Sequence, residues 1–206
     1  MDNLKKNIIR HNRSRGDIRI SSSSSYLLLN QDKKNESYKN EIQQFIKDIE
    51  DSSKYDCEAW SKYQSTELGD DLKLKIREYV LSHNGFSLLH LAAKNCRKNF
   101  CQFLIKDAKI DKDVTCKIKS TPLHTLIKTN VFIKKDYLNH DDQILKKKIC
   151  EFKETFDIFI KNNADVNYQD ENGNSCLHYA VAKANFVAVS LLINVSGISL
   201  NISKIY

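Results

Sequence analysis

Thr121-Pro122-Leu123-His124 decides the fold, because weaker copies of it stand on either side. Ser87-Leu88-Leu89-His90 precedes it and Ser175-Cys176-Leu177-His178 follows. Each copy sets a hydroxyl first, then Pro or another small to medium residue, then Leu-His, then an apolar run. A hydroxyl just before a helix accepts a hydrogen bond from an otherwise orphaned N–H of the first turn. Pro suits the first helical position, where its missing N–H had no partner anyway. The copies therefore predict three helix starts of one design and a fold built by stacking, a kind of fold that works by binding.

Each start leads into a second apolar segment and a short closing phrase. In the first unit Leu89, Ala92 and Ala93 belong to a first helix, and Phe100, Cys101, Phe103, Leu104 and Ile105 to a second. The closures are Asp107-Ala108-Lys109-Ile110-Asp111, Asn163-Ala164-Asp165-Val166-Asn167 and Gly197-Ile198-Ser199-Leu200-Asn201.

These units resemble the ankyrin repeat, whose phrase is G-x-T-P-L-H-x-A-A, an apolar second helix, then G-A-D-V-N and a β-turn. Gly85, Ser87, Leu89, His90, Ala92 and Ala93 carry the resemblance in the first unit. Thr121, Pro122, Leu123 and His124 carry it in the second, and Gly173, Ser175, Leu177, His178 and Ala180 in the third. The best closure is Ala164-Asp165-Val166-Asn167, followed by Asp170-Glu171-Asn172-Gly173. The resemblance covers roughly residues 84–201 and implies an all-α solenoid of helix-turn-helix units. Repeats of this family run to about 33 residues. His90 and His124 are 34 apart, as expected, whereas His124 and His178 are 54 apart. The excess of about 21 over the family period falls around residues 130–150, between the helices of the second unit. It reads as a loop and an N-terminal extension of the second helix. Asn139, Asp141 or Asp142 is the expected cap, with Ile144, Leu145, Ile149, Phe152, Phe156, Phe159 and Ile160 at helical spacing.

Upstream of the repeats, residues 1–40 read as a disordered basic and Ser-rich tail that buries too little apolar surface to offset chain ordering. Within it Arg15-Gly16-Asp17 spells an adhesion tripeptide, a short string that arises often by chance. Residues 41–83 read as a helical N-terminal cap. Ile42, Phe45, Ile46 and Ile49 mark one helix, and Tyr55, Ala59, Trp60 and Tyr63 a second. Leu72, Ile76, Tyr79 and Val80 mark a third, capped by Asp70 or Asp71 and ending near Asn84-Gly85. Residues 84–206 are the repeat domain.

The composition bounds the function. With 5 Gly and 1 Pro in 206 residues, β-rich architectures are poorly supplied with turns. No apolar run reaches the roughly 20 residues that span a bilayer. The first thirty residues have no signal-peptide pattern, so a cytoplasmic location and reduced cysteines are expected. The net charge of +7 is scattered, and Lys, Asn and Ile are abundant together. That pattern serves solubility rather than a nucleic-acid stripe.

No catalytic, cofactor-binding or metal-ligating residue is expected. His90, His124 and His178 recur once per repeat, roughly 10 Å apart as packed elements are, too far to share a metal. In the ankyrin family this His is structural, and the resemblance implies that it ties one repeat's loop to the next. Cys176 and His178 lie two apart and are the residue types of a thiol nucleophile and its base, but no oxyanion site accompanies them.

The resemblance implies a non-catalytic protein-binding module with an extended concave surface. By position that surface includes Lys94, Asn95, Lys128, Thr129, Tyr168, Gln169, Asn172 and Lys183. The partner is expected to be another protein, with self-association through the uncapped C-terminal repeat as a further route. Lys/Asn/Ile-rich ankyrin proteins resemble those of host-associated bacteria, which implies a host-directed effector exported into a host cell. The alternative is an N-terminal or regulatory fragment of a larger enzyme or toxin.

Overall fold

The computed structural model describes residues 22–51, 56–64, 68–81, 84–129 and 143–200, with side chains from residue 33 onward. Arg15-Gly16-Asp17, Tyr55 and the expected caps Asn139, Asp141 and Asp142 lie outside these residues. The chain divides into two compact units, residues 1–39 and 40–206. In the first, the described residues belong to helix α1 (Ser22–Glu50). There Lys39 pairs with Glu36 at 3.8 Å, and the Lys34 ammonium lies 5.5 Å from the Tyr38 ring centre.

The composition predicts no order before residue 41, yet α1 begins at Ser22. From Ser22 to Glu50 the sequence contains neither Gly nor Pro, and Leu, Gln, Lys and Glu supply good intrinsic propensity. The spacing that marks residues 42–49 holds: Ile42, Phe45, Ile46 and Ile49 are all buried.

Helix α2 (Asp56–Gln64) turns Ala59, Trp60 and Tyr63 toward the same core. Phe45 lies edge-on to Tyr63 at 5.2 Å and to Phe100 at 5.1 Å. Trp60 lies 5.1 Å from Phe100 and 5.2 Å from Phe103. Edge-to-face rings at these spacings gain quadrupole attraction beyond their buried area, so aromatic packing joins the N-terminal helices to the first repeat.

Helix α3 (Asp70–Glu78) buries Leu72 and Ile76, as expected. Its ends differ from expectation. Gly69 occupies the N-cap without a side-chain bond, and Asp70 and Asp71 sit in the first turn, where carboxylates favour the positive end of the helix dipole. The helix stops at Glu78 rather than near Asn84. Strand β1 (Val80–Leu81) instead pairs antiparallel with β2 (Phe86–Ser87), Val80 opposite Ser87 and Leu81 opposite Phe86. Asn84-Gly85 is the turn between these strands rather than a helix end, with Gly85 at φ +71°. A β-branched residue before an Asn-Gly pair suits a hairpin better than another helical turn.

The repeats follow. The first comprises α4 (Leu88–Lys94) and α5 (Lys98–Lys106), the second α6 (Pro122–Lys128) and α7 (Gln143–Lys161), the third α8 (Cys176–Ala182) and α9 (Phe186–Ile193). First helices stack on first helices, α4 on α6 and α6 on α8, and α5 packs on α7. The long helix α7 carries the end of the insertion, residues 143–150, and the loop expected before it lies outside the described residues. Phe152, Phe156 and Phe159 are buried, whereas Ile144 in its first turn is 66% exposed. The second and third closures turn through left-handed residues at the same place, Asn163 and Gly197. The first does so at Lys109, two positions later.

Candidate protein-binding face

The three motifs build one joint. Ser87, Thr121 and Ser175 are N-caps, and each forms a reciprocal box with the histidine three residues on. The backbone N–H of the cap donates to histidine Nδ1 at 3.1 Å in the first repeat, 3.3 Å in the second and 3.1 Å in the third. An Nδ1 that accepts leaves the proton on Nε2. His90 Nε2–H donates to the Ser120 carbonyl at 2.9 Å, and His124 Nε2–H to the Asn174 carbonyl at 3.1 Å. Each acceptor stands just before the next repeat's cap, so the histidine bonds its own helix start to the following repeat.

Burial and this geometry disfavour the imidazolium. Burial pulls His90 down to about 4, although its bond to the Ser120 carbonyl pulls the other way. His124 is also lowered, first by burial, with the Lys128 ammonium adding to the effect.

The loops repeat the joint in backbone form. Lys117 N–H donates to the Asn84 carbonyl at 3.1 Å, and Glu171 N–H to the Ile118 carbonyl at 3.2 Å. These loop tips therefore stand side by side, and Gly85, Lys119 and Gly173 take positive φ at matching places. The closures are tied as well. Asp165 N–H donates to Asp113 Oδ1 at 3.0 Å, Asn167 Nδ2 to the Gly197 carbonyl at 2.8 Å, and Ser199 N–H to Asn167 Oδ1 at 2.8 Å.

The eight residues expected on the binding face divide in two. Lys94, Asn172 and Lys183 are exposed, and Tyr168 is half-buried with its ring 6.4 Å from His124. The others are engaged internally. Asn95 Nδ2 donates to the Leu91 carbonyl at 2.9 Å, Thr129 Oγ1 to the Leu126 carbonyl at 2.5 Å, and Gln169 Nε2 to the Gly173 carbonyl at 3.0 Å. Lys128 lies 3.1 Å from Ser120 Oγ, 3.6 Å from Asp170 Oδ2 and 3.9 Å from the Tyr179 ring centre. A lysine with a carboxylate, a hydroxyl and a ring face around it is a bracket between repeats.

Asp170 and Tyr179 were not singled out by sequence reasoning. Asp170 Oδ1 accepts from the N–H groups of Asn172 at 3.0 Å and Asn174 at 3.1 Å, and Oδ2 accepts from the Tyr179 hydroxyl. Burial would raise this carboxyl. The bonds from Tyr179, Asn174 and Asn172 and the nearby Lys128 outweigh it and hold the group below its ordinary range. Burial and the Asp170 carboxylate together push the Tyr179 phenol up to about 12. The Asp-Glu-Asn-Gly order was the available signal, since an Asp that opens a turn accepts from the backbone two residues on.

Cys176 is fully buried, and burial raises its thiol far above the ordinary range. His178 Nδ1 faces Ser175 rather than the thiol. A nucleophilic cysteine needs the opposite arrangement. Cys96, pushed up to about 12 mainly by burial, and Cys101, also raised by burial, are core residues.

Residues 84–117 match the family described as Ankyrin repeat, and residues 153–193 match Ankyrin repeats (many copies). With the joints and the helix pairs in place, these matches decide the assignment. The chain carries ankyrin repeats. It is similar to the mouse protein Ankyrin repeat domain-containing protein 53, at 31% identity over 104 residues. That match covers 50% of this chain and 18% of the mouse protein's length. The ankyrin matches flank the second repeat's insertion, which lies in the stretch between them. Among the described residues no helix is long and apolar enough to cross a membrane.

Proposed function

We propose that this ankyrin-repeat module binds an acidic segment of another protein through the ends of its first helices and its loop tips. Ankyrin repeats are protein-interaction modules, and the ladder of loop bonds sets the loop tips side by side. The carrying observation is an uncompensated charge. Lys94 and Lys183 close α4 and α8, Lys117 and Lys119 occupy the loop tip between them, and all four are exposed. No described carboxylate pairs with any of them. Unpaired ammonium groups on rigid elements speed encounter with a negative partner and help to fix its register. Tyr168 and Asn172 add an aromatic edge and an amide beside them. Lys128, Asn95, Thr129 and Gln169 support this face from below.

The test is affinity capture with the full chain, followed by titration of the captured protein. Lys94→Glu with Lys183→Glu should weaken binding about tenfold or more and flatten its loss with added salt, with an unchanged melting curve. Lys106→Glu, on α5, serves as control. Unchanged affinity in the double variant, or equal loss in the control, overturns the assignment.

A further inference from the structure

The second helices of the three repeats meet at two seams, and one of the seams is open. Shared bonds fix the matching positions. Ala108 N–H donates to the Phe103 carbonyl and Ala164 N–H to the Phe159 carbonyl, so Phe159 repeats Phe103 and Ile160 repeats Leu104. Arg97 and Asn185 each donate back to a first helix, at the Ala92 and Ala180 carbonyls, so Leu191 repeats Phe103 in the third repeat. At the first seam Leu104 of α5 and Phe159 of α7 are both 0% exposed. At the second seam Ile160 of α7 and Leu191 of α9 stand in their places and are only half-buried.

The sequence accounts for the opening. Leu191 is smaller than the ring it replaces. Left-handed Asn163 follows Phe159 by four residues, whereas left-handed Gly197 follows Leu191 by six. A cleft of about 610 Å³ lies here between α7 and α9, within the size range of ligand sites. Both walls are described residues of the second and third repeats, so the cleft stands between two stacked elements. Buried Phe156 and half-buried Ile160, Leu191 and Val195 give it an apolar floor. The charged groups that line it are exposed Asp157 and Asp165, with no cation among the lining residues. Asp157 occupies the position that fully buried Cys101 holds in α5. Among the described residues neither carboxylate forms an ion pair. Lys112 pairs with Asp111 and Asp113, and Lys153 and Lys161, one turn away on either side along α7, are not paired with Asp157.

We infer that this cleft binds a basic side chain of another protein, an arginine or lysine, with its methylene stem on the apolar floor and its head group at Asp157 and Asp165. Such a side chain joins an apolar stem to a charged head, and a carboxylate gives that head its strongest hydrogen bonds. An acidic or phosphorylated segment meets two charges of its own sign here. A purely apolar one leaves both carboxylates without a partner. The cleft lies on the second helices and is opposite in sign to the lysines of the first helices and loop tips, so this inference does not rest on theirs.

A titration of the isotope-labelled full chain with a capped peptide of alternating arginine and leucine, followed by amide chemical shifts, tests this. The expected result is saturable shifts at residues 156–166 and 191–197, with a dissociation constant of about 1 mM or below. The same peptide with citrulline for arginine keeps the stem and the planar head without the charge, and should bind about tenfold more weakly. Asp157→Asn with Asp165→Asn should weaken the arginine peptide to a similar degree. Asparagine keeps an acceptor for the Asn167 N–H that Asp165 Oδ1 holds at 2.9 Å, and circular dichroism establishes that the variant is folded. Leu191→Phe restores the ring of the first seam and should abolish the shifts. If Leu191→Phe unfolds the third repeat, the citrulline comparison on the unaltered chain decides. The inference is overturned by an absence of saturable shifts up to about 10 mM peptide, by equal affinity for the citrulline peptide, or by shifts at these amides on raising the protein concentration alone, which would assign the cleft to the chain's own basic residues.

Discussion

Each histidine joint works only in one protonation state. In the folded protein His90 titrates at about 4, against 6.5 for the free side chain. A folded value below the unfolded one means that the unfolded chain takes up the proton first. The contribution is therefore complete above about pH 6.5 and is lost as the pH falls toward 4. Its size is on the order of 2–3 kcal/mol, from the energy of a shift of that size in a group that is nearly buried. His124 adds to the loss in the same direction. Urea midpoints should hold steady from pH 8 to 7 and then fall through pH 5; a flat profile would remove the joint as an energetic element. His124→Ala should cost about 2–4 kcal/mol at pH 7.5, because the Asn174 carbonyl keeps only the Asp170 N–H of its two donors, the tie between repeats is lost and the Thr121 box opens. Lys128→Ala belongs to this scale too. Since Lys128 braces Asp170 and Tyr179, it should lower the melting temperature.

At the scale of elements, the tight loops hold left-handed residues at a cost. Lys119 adopts φ +53° where the matching positions are Gly85 and Gly173. A side chain in that region costs about 1 kcal/mol relative to Gly, so Lys119→Gly should stabilise the second repeat by about 0.5–1 kcal/mol in equilibrium unfolding. Gly85→Ala should do the reverse. Its φ is +71°, and an added Cβ would stand 3.3 Å from Lys117 Cγ. The insertion helix divides its own length. Phe152 is fully buried and Ile144 is 66% exposed, so Phe152→Ala should cost about 3–5 kcal/mol and Ile144→Ala should lie within about 0.5 kcal/mol of wild type. What was legible at this scale followed from locality. Caps, boxes and apolar spacing depend on neighbours three or four residues away, and so the three helix starts could be read directly. The end of α3 could not, because Val80 leaves the helix for a strand partner beyond the turn. The bracing contacts of Lys128 could not be read for the same reason. Its partner Asp170 belongs to the next repeat, and only stacking brings the two together. The clearest motif, Thr121-Pro122-Leu123-His124, lies in the stretch between the two family matches, because the insertion beyond it breaks the repeat's length without disturbing its first helix.

At the scale of the whole second unit, a stack in which each repeat touches only its neighbours should fail locally rather than all at once. The seam between the N-terminal helices and the first repeat is the place to test this. Arg97, 5% exposed, donates from Nε to the Ile49 carbonyl at 3.0 Å and from its terminal nitrogen to the Asp51 carbonyl. These carbonyls close the C-terminal end of α1, where four acceptors have no helical partner. Beside it, Asp56 Oδ2 accepts from Asn99 N–H at 2.9 Å, so the first residue of α2 caps the start of α5. Two polar links therefore join the N-terminal helices to the repeats at the beginning of α5, above the ring cluster of Phe45, Trp60 and Phe100. Arg97→Met keeps most of the buried volume and removes the donors. It should speed amide exchange about tenfold or more at residues 42–50, while amides of α8 and α9 keep their wild-type rates. His124→Ala should give the opposite pattern, quickening exchange in α8 and leaving residues 42–50 protected. If either change instead accelerated every amide equally, the unit would be opening as a single cooperative block, and the nearest-neighbour account of its stability would fail.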